Sequence, residues 1–149
     1  IGLHNQNWGK SMLYVLLGLL FSIGGIALSL WLCQVLGWEF GTSTAFDKLS
    51  PLAIFIIVLR AGIAEEVFMR GYIFERLTTF FRSKWAAALL STIPFALLHY
   101  KQGYAGILIS FVLGAILMGM YMWKRDLKSN IITHFTIDFV PNLLLAAII

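Results

Sequence analysis

Seven ionisable side chains lie on segments of this sequence that are otherwise apolar. Such groups cost several kcal/mol in a bilayer and are usually paired, functional or both. Carboxylates and histidines are also the side chains that most often transfer protons or bind metals. The seven are Arg60, Glu65, Glu66, Arg70, His99, His134 and Asp138.

The two adjacent glutamates predict different roles. Neighbouring residues point about 100° apart on a helix. Glu66 precedes Arg70 by four residues, the favourable spacing for an ion pair. Glu65 has no such partner in its turn, and an unpaired carboxylate in an apolar site is suited to act as a general base. The alternative for Glu65 is an exposed position at the membrane surface.

His99 is expected to reach the glutamates through a helical hairpin. If the turn centres between Arg82 and Ser83, Glu66 and His99 are equally far from it along the chain. Antiparallel helices joined there would bring them to one depth. A solitary histidine in an apolar segment is often only a packing residue, but one level with two carboxylates favours a functional site.

His134 and Asp138 are four residues apart and therefore lie on one helical face. The same face includes Asn130 and Asn142. A carboxylate one turn from a histidine can fix its tautomer. The alternative is a polar seam that holds helices together. In either case, this face is expected to point into the protein.

These residues together predict a hydrolytic site. Two histidines and a carboxylate can bind zinc with an open position, here His99, His134 and Glu65. Alternatively, a glutamate activates water without a metal, and the histidines orient it and stabilise the oxyanion. No His-Glu-x-x-His or Gly-x-Ser-x-Gly motif is present. The predicted site comprises Glu65, Glu66, His99, His134 and Asp138.

The composition indicates a membrane protein. The 149 residues are 60% hydrophobic and 12% charged, whereas soluble domains carry about 25% charged residues. This excludes a disordered chain, a collagen-like repeat and a cytosolic soluble domain. The net charge of +4 comes from Lys and Arg between apolar runs, so we expect no nucleic-acid partner. Cys33 is the only cysteine, which excludes an internal disulfide.

The pattern predicts an all-α, polytopic transmembrane bundle of about five spans in one domain, residues 1–149. Ser50 and Pro51 are expected to begin the second helix as cap and first residue. We expect turns at Phe81–Lys84 and Lys124–Ser129. Because the sequence begins at Ile1, we expect a fragment of a longer protein. The predicted spans are Ser11–Leu36, a helix from Pro51, Trp85–Tyr100, Tyr104–Trp123 and Asn130–Ile149.

The basic residues predict that the N-terminus of this fragment is cytoplasmic. Eight lie on the predicted N-terminal side and two, Lys48 and Lys101, on the other. If Arg70 and Arg76 belong to the second helix, six remain against two. The eight are Lys10, Arg70, Arg76, Arg82, Lys84, Lys124, Arg125 and Lys128.

Three motifs resemble those of the CPBP intramembrane protease family, which includes type II CAAX prenyl endopeptidases and bacteriocin-processing or self-immunity proteins. The motifs are Glu65-Glu66-x-x-x-Arg70, Phe95-x-x-x-His99 and His134-x-x-x-Asp138, and the resemblance covers about residues 51–142.

The resemblance implies a multi-pass membrane endopeptidase in which Glu65 activates water together with His99. His134 and Asp138 would form the oxyanion hole or assist a metal, and Arg70 and Phe95 would support the site. The implied partners are membrane lipid and a hydrophobic or lipidated peptide, such as a prenylated CAAX-type peptide or a bacteriocin precursor.

An ionised Asp138 cannot donate a hydrogen bond to an oxyanion, so it would be protonated, orient His134 or bind metal. Straight helices would also separate His99 and His134 by about 15–20 Å in depth. Convergence therefore requires tilt, a kink near Pro94 or a short third helix. The alternative functions are a non-catalytic immunity or accessory protein and a proton or cation pathway.

Overall fold

The computed structural model describes residues 7–39 and 49–148, with side chains described as far as residue 142. All regular structure in these residues is helical, which confirms the predicted fold class. The helices are α1 (Trp8–Leu36), α2 (Pro51–Glu66), a π-helical segment (Val67–Phe74), α3 (Glu75–Phe81), α4 (Lys84–Leu97), a 3₁₀ turn (Tyr100–Gln102), α5 (Gly103–Lys124) and α6 (Leu127–Ile148).

The helix ends follow from local capping chemistry. The Ser50 hydroxyl accepts a hydrogen bond from the Ala53 amide, and Pro51 stands in the first turn of α2, as predicted. Gly37 ends α1 with a φ of 66°, a conformation that glycine adopts without strain. The connection predicted at Gly37–Ser50 is described only at its two ends, because residues 40–48 lie outside the described residues.

Three predicted boundaries were wrong. The first span was predicted to begin at Ser11, but α1 begins at Trp8. The third span was predicted to run to Tyr100, but α4 ends at Leu97. The fifth was predicted to begin at Asn130, whereas α6 begins at Leu127. The Asp126 carboxylate accepts hydrogen bonds from the backbone amides of Lys128 and Ser129, at distances of 3.2 and 3.3 Å. Asp126 therefore caps the helix, which begins at the next residue.

The second predicted helix contains a feature that the apolar pattern did not indicate. Its α-helical geometry changes to a π-helix immediately after Glu66 and resumes at Glu75. Each π-helical turn holds more residues than an α-helical turn, so the side chains that follow are rotated about the axis. Arg70 and Arg76 both lie within this continuous helical run rather than in a connection. Six basic residues against two therefore support the predicted orientation, which stays a prediction.

The helices pack closely where small residues face a neighbouring element. α1 packs on α5 and α6, α2 on α6, and α4 on α5 and α3. A Cβ atom at Gly18 would lie 2.9 Å from the Thr133 hydroxyl, and one at Gly62 would lie 3.4 Å from the Phe135 amide nitrogen. Glycines therefore let α1 and α2 approach α6, as small residues do between membrane helices.

Two helices in the described part of the chain are long and apolar enough to cross a membrane. They are Trp8–Leu36 and Tyr100–Lys124, with mean hydropathies of 2.3 and 2.1. Large apolar side chains, among them Leu16, Leu20 and Phe21, are exposed on α1. Both features support membrane association, but the structure does not confirm five spans.

The α3–α4 hairpin extends beyond the turn between α5 and α6. Glu75, at the start of α3, forms an ion pair with Arg125 in that turn. The hairpin turn at Arg82 is seven residues further along, about 10 Å at the helical rise. The tip is exposed, since Phe80 and Trp85 retain 78% and 76% of their accessible surface. If the α3–α4 turn and the α5–α6 turn lay at the same depth, the end of α4 would be far from the first turns of α6. Because the α3–α4 turn projects further, the end of α4 lies closer to their level.

Candidate active site

Glu66 lies at the centre of a buried hydrogen-bond network. Its side chain has no exposed surface. Arg70 donates from Nη1 to Oε1 at 2.7 Å, which confirms the predicted ion pair. Asn130 donates from Nδ2 to the other oxygen, Oε2, at 3.2 Å. His134 approaches Oε1 with Nδ1 at 2.9 Å. Both carboxylate oxygens of Glu66 are therefore occupied by protein donors.

Backbone carbonyls of α5 hold the two partners that flank Glu66. Arg70 donates from Nη2 to the Gly114 carbonyl at 3.0 Å, and Asn130 donates from Nδ2 to the Leu117 carbonyl at 2.8 Å. A Cβ at Gly114 would lie 2.9 Å from Cδ1 of Phe95, so glycine permits this close approach. Helix α5 thus supports the site through its backbone.

His134 brings the two sequence-predicted glutamates and Asp138 together. Its Nε2 lies 3.3 Å from Oδ2 of Asp138 and 3.8 Å from Oε2 of Glu65. Since carboxylates only accept hydrogen bonds, the contact with Glu66 places a proton on Nδ1 and leaves Nε2 facing Glu65 and Asp138. Asp138 therefore lies where it can orient His134, one of the roles left open by the sequence.

Glu65 differs from Glu66 in its access to the surroundings. Its side chain is 37% exposed, and no side chain of the described residues donates a hydrogen bond to it at normal distance. It lines an open cavity of about 650 Å³. The other lining residues are Ala64, Val67, Phe68, Met69, Tyr72 and Leu98. Glu65 is therefore the ionisable group that this apolar cavity presents.

Phe95 connects His99 with the buried network. The Arg70 guanidinium lies over its ring, 5.0 Å from the centroid. Residues 70 and 95 are equally far from a turn between residues 82 and 83, so this contact agrees with the register that placed Glu66 and His99 at one depth. The Phe95 ring centroid lies 5.1 Å from that of His99 and 6.2 Å from that of His134.

His99 lies at the end of α4, next to the cavity-lining Leu98. Its Nδ1 is 3.0 Å from the Phe95 carbonyl, which can only accept. In the neutral imidazole, Nε2 is then the unprotonated nitrogen. Both histidine rings lie beside the same Phe95 ring, and the short α4 is one of the features that the convergence was expected to require.

Three residues behave differently from what their sequence positions suggested. Arg60 is exposed on α2 and lies outside the cluster. Asn142 donates to the backbone carbonyl of Asp138 at 2.6 Å, so its amide group bonds within α6. Asn130, which was not among the predicted site residues, contacts Glu66 directly. Its place four residues before His134 was the signal that could have identified it.

A metal requires several ligands directed at one point. Within residues 7–39 and 49–148, no three side chains of His, Cys, Asp or Glu are arranged to hold a metal ion. Nδ1 of His134 is occupied by Glu66, and Nδ1 of His99 by a carbonyl. The residues do not form a ready zinc site in this arrangement.

A comparison with known protein families identifies the family of this chain. The family described as "Type II CAAX prenyl endopeptidase Rce1-like" matches residues 47–140, which include all three motifs. The chain belongs to this Rce1-like family. No curated protein and no solved structure matches it.

Membership confirms the resemblance stated from the three motifs. The Rce1-like family is one of endopeptidases, and therefore of hydrolases. Its membrane character agrees with the two apolar helices. The roles of the individual site residues remain predictions, which the geometry above makes specific.

Proposed function

We propose that this chain is an intramembrane endopeptidase in which Glu65 activates the attacking water. The observation that carries the proposal is the contrast between the two glutamates. Glu66 is fully buried with both oxygens occupied, whereas Glu65 is 37% exposed and lines the open cavity. A general base must be able to reach water and substrate, and only Glu65 of this pair can do so.

The two histidines are suited to complementary tasks. The Nε2 atom of neutral His99 can accept a hydrogen bond from the water that Glu65 activates. Nε2 of His134 lies on the same side as the Glu65 carboxylate. When protonated, His134 directs its Nε2–H at Asp138 in the resting site, and it can share this hydrogen with the oxyanion that forms on the substrate carbonyl.

The proposed reaction balances as a hydrolysis. Glu65 takes a proton from water, and the resulting hydroxide adds to the peptide carbonyl carbon. The oxyanion then collapses, the C–N bond breaks, and the proton on Glu65 passes to the leaving amine. Asp138 orients His134, while Glu66, Arg70 and Phe95 hold the imidazoles in place.

The proposed substrate is a membrane-associated peptide, such as a prenylated CAAX-type peptide or a bacteriocin precursor. The family description supports the prenylated class. Apart from Glu65, the lining of the cavity consists of apolar residues and one tyrosine, which suits apolar side chains beside the scissile bond. We further propose a multi-pass topology with the N-terminus of this chain in the cytoplasm.

Peptide cleavage by the purified protein tests this function. Wild type is expected to cleave members of a panel of lipidated and unlipidated membrane peptides. Glu65→Gln should lower kcat by about 100-fold or more, because removal of a general base has effects of that order. Glu75→Gln is the matched control, since Glu75 lies on the same helical run, outside the site. Full activity of Glu65→Gln would refute the proposed role.

Zinc binding by His99, His134 and Glu65 stays a prediction with its own test. Elemental analysis of the purified protein measures bound metal directly, and activity is compared before and after dialysis against a chelator. Stoichiometric metal that Glu65→Gln fails to retain would support those ligands. Metal-free protein with full activity would contradict them.

A further inference from the structure

We propose that Asn130 is a positioning residue of this site, acting through Glu66 to hold His134 in its working orientation. The proposal rests on the proposed function and extends it to a residue outside the three motifs. Asn130 is 2% exposed and lies on α6, about two helical turns before Asp138.

The amide group of Asn130 has an unambiguous orientation. Oε2 of Glu66 and the Leu117 carbonyl oxygen both lie within hydrogen-bond distance of it, at 3.2 and 2.8 Å. Both are acceptors, so only the NH₂ end of the amide can satisfy them. Asn130 therefore uses its two hydrogens to join Glu66 to the backbone of α5.

Asn130 also decides which oxygen of Glu66 is available to His134. Arg70 and His134 share Oε1, while Asn130 occupies Oε2. Without Asn130, the carboxylate could rotate and present both oxygens to Arg70, which favours bidentate pairing. His134 would then lose the acceptor for its Nδ1 proton, and with it the contact that orients Nε2 toward Glu65.

Arg70 and Asn130 each link Glu66 to a backbone carbonyl of α5. Arg70 rests on the Gly114 carbonyl and Asn130 on the Leu117 carbonyl, three residues apart on one face of α5. Arg70 donates to Oε1 of Glu66 and Asn130 donates to Oε2. Arg70 provides the counter-charge for Glu66, whereas Asn130 fixes the orientation of the Glu66 carboxylate. Outer-shell partners of this kind typically change activity by about 10–100-fold when removed.

Kinetics of two Asn130 variants test the proposal. Asn130→Ala should lower kcat by about 10–100-fold with little change in KM, since the substrate cavity is untouched. Ser129→Ala is the matched control, because Ser129 is similarly buried on α6 but its hydroxyl donates to the Asp126 carbonyl, away from Glu66. Its kcat should equal that of wild type. Wild-type kcat in Asn130→Ala would overturn the proposal.

Asn130→Asp separates positioning from simple loss of packing. The substitution keeps the shape of the side chain, but a carboxyl can donate a hydrogen bond only when protonated. The ratio of its kcat to that of wild type should therefore rise as the pH falls. A ratio independent of pH would contradict the proposal. This variant carries the test if Asn130→Ala does not fold.

The ¹⁵N NMR signals of His134 provide a readout that does not require turnover. Protein labelled at histidine should show a protonated Nδ1 in wild type and altered His134 nitrogen shifts in Asn130→Ala, with Ser129→Ala unchanged. Identical His134 signals in all three proteins would refute the positioning role. If wild type cleaves no peptide, the proposed function is refuted, whereas these spectra still test whether Asn130 positions His134.

Discussion

Two ion pairs on one continuous helical run differ in almost every respect. Glu66 pairs with Arg70 in complete burial, with side chains 0% and 1% exposed. Glu75, nine residues later, pairs with Arg125 at the end of the bundle, with side chains 31% and 41% exposed. Tyr121 also donates to Glu75, at 2.9 Å. The first pair lies beside the proposed catalytic groups, and the second joins α3 to the turn between α5 and α6.

The difference indicates what each pair does for the protein. Burying two charges costs several kcal/mol per ion, and their attraction repays this only with good geometry and further hydrogen bonds. Glu66 has those hydrogen bonds, from Asn130 and His134. A half-exposed pair avoids most of the cost but contributes about 0–1 kcal/mol. The buried pair is therefore explained by the orientation it imposes on its neighbours.

The largest expected effect comes from removing one member of the buried pair. Glu66→Ala leaves the Arg70 guanidinium buried without its counter-charge, which should lower the free energy of unfolding by about 3–5 kcal/mol. Denaturant unfolding in mixed micelles measures this. The double variant Glu66→Leu/Arg70→Met should lose less than the single one, because no charge is left unpaired. A larger loss in the double variant would contradict this account of the buried pair.

A glycine substitution tests the backbone support of the same pair. Gly114→Ala places a Cβ 2.9 Å from Phe95 and 3.2 Å from Thr92. The overpacking should cost about 1–3 kcal/mol and disturb the carbonyl that holds Arg70. Gly119→Ala, also on α5, has open space at its Cβ. It should be neutral or stabilising by up to about 1 kcal/mol. Equal stability of the two variants would contradict the close approach.

The half-exposed pair should matter less. Glu75→Gln is expected to change the free energy of unfolding by less than about 1 kcal/mol. The same unfolding measurement applies, with Arg125→Gln and the double variant completing the thermodynamic cycle. A coupling energy above about 2 kcal/mol would place this pair in the same class as Glu66 and Arg70 and remove the contrast.

Salt provides the smallest and most direct comparison. Raising the ionic strength from about 0.1 M to 1 M shortens the Debye length from about 10 Å to 3 Å. The coupling energy between Glu75 and Arg125 should fall, while that between Glu66 and Arg70 should stay constant. Equal salt sensitivity would show that water reaches both pairs.

The three motifs made much of the site predictable. The four-residue spacings of Glu66 with Arg70 and of His134 with Asp138 predicted contacts that the structure contains, because helical periodicity is local. Counting from a turn between Arg82 and Ser83 predicted that Glu66 and His99 lie at one depth, and the contact between Arg70 and Phe95 agrees with the same register. These inferences needed only one helix or one hairpin.

The errors arose where one helix meets another. The spacing alone could not explain how the two histidines converge, because straight helices with turns at equal depth would separate them, whereas the α3–α4 hairpin extends past Arg125. The role of Asn130 depends on carbonyls of α5 that the sequence cannot align with it. The π-helical segment also follows Glu66 without a signal in the apolar pattern.

The sequence by itself determined the helical class, the membrane character and the candidate site residues, because composition and short spacings are local properties. Only the tertiary structure decided which glutamate faces the cavity and which is enclosed. Glu65 and Glu66 are neighbours of the same type in the same helix. The difference between them is created by Arg70, Asn130 and His134 closing around one carboxylate, and by the absence of such a shell around the other among the described residues.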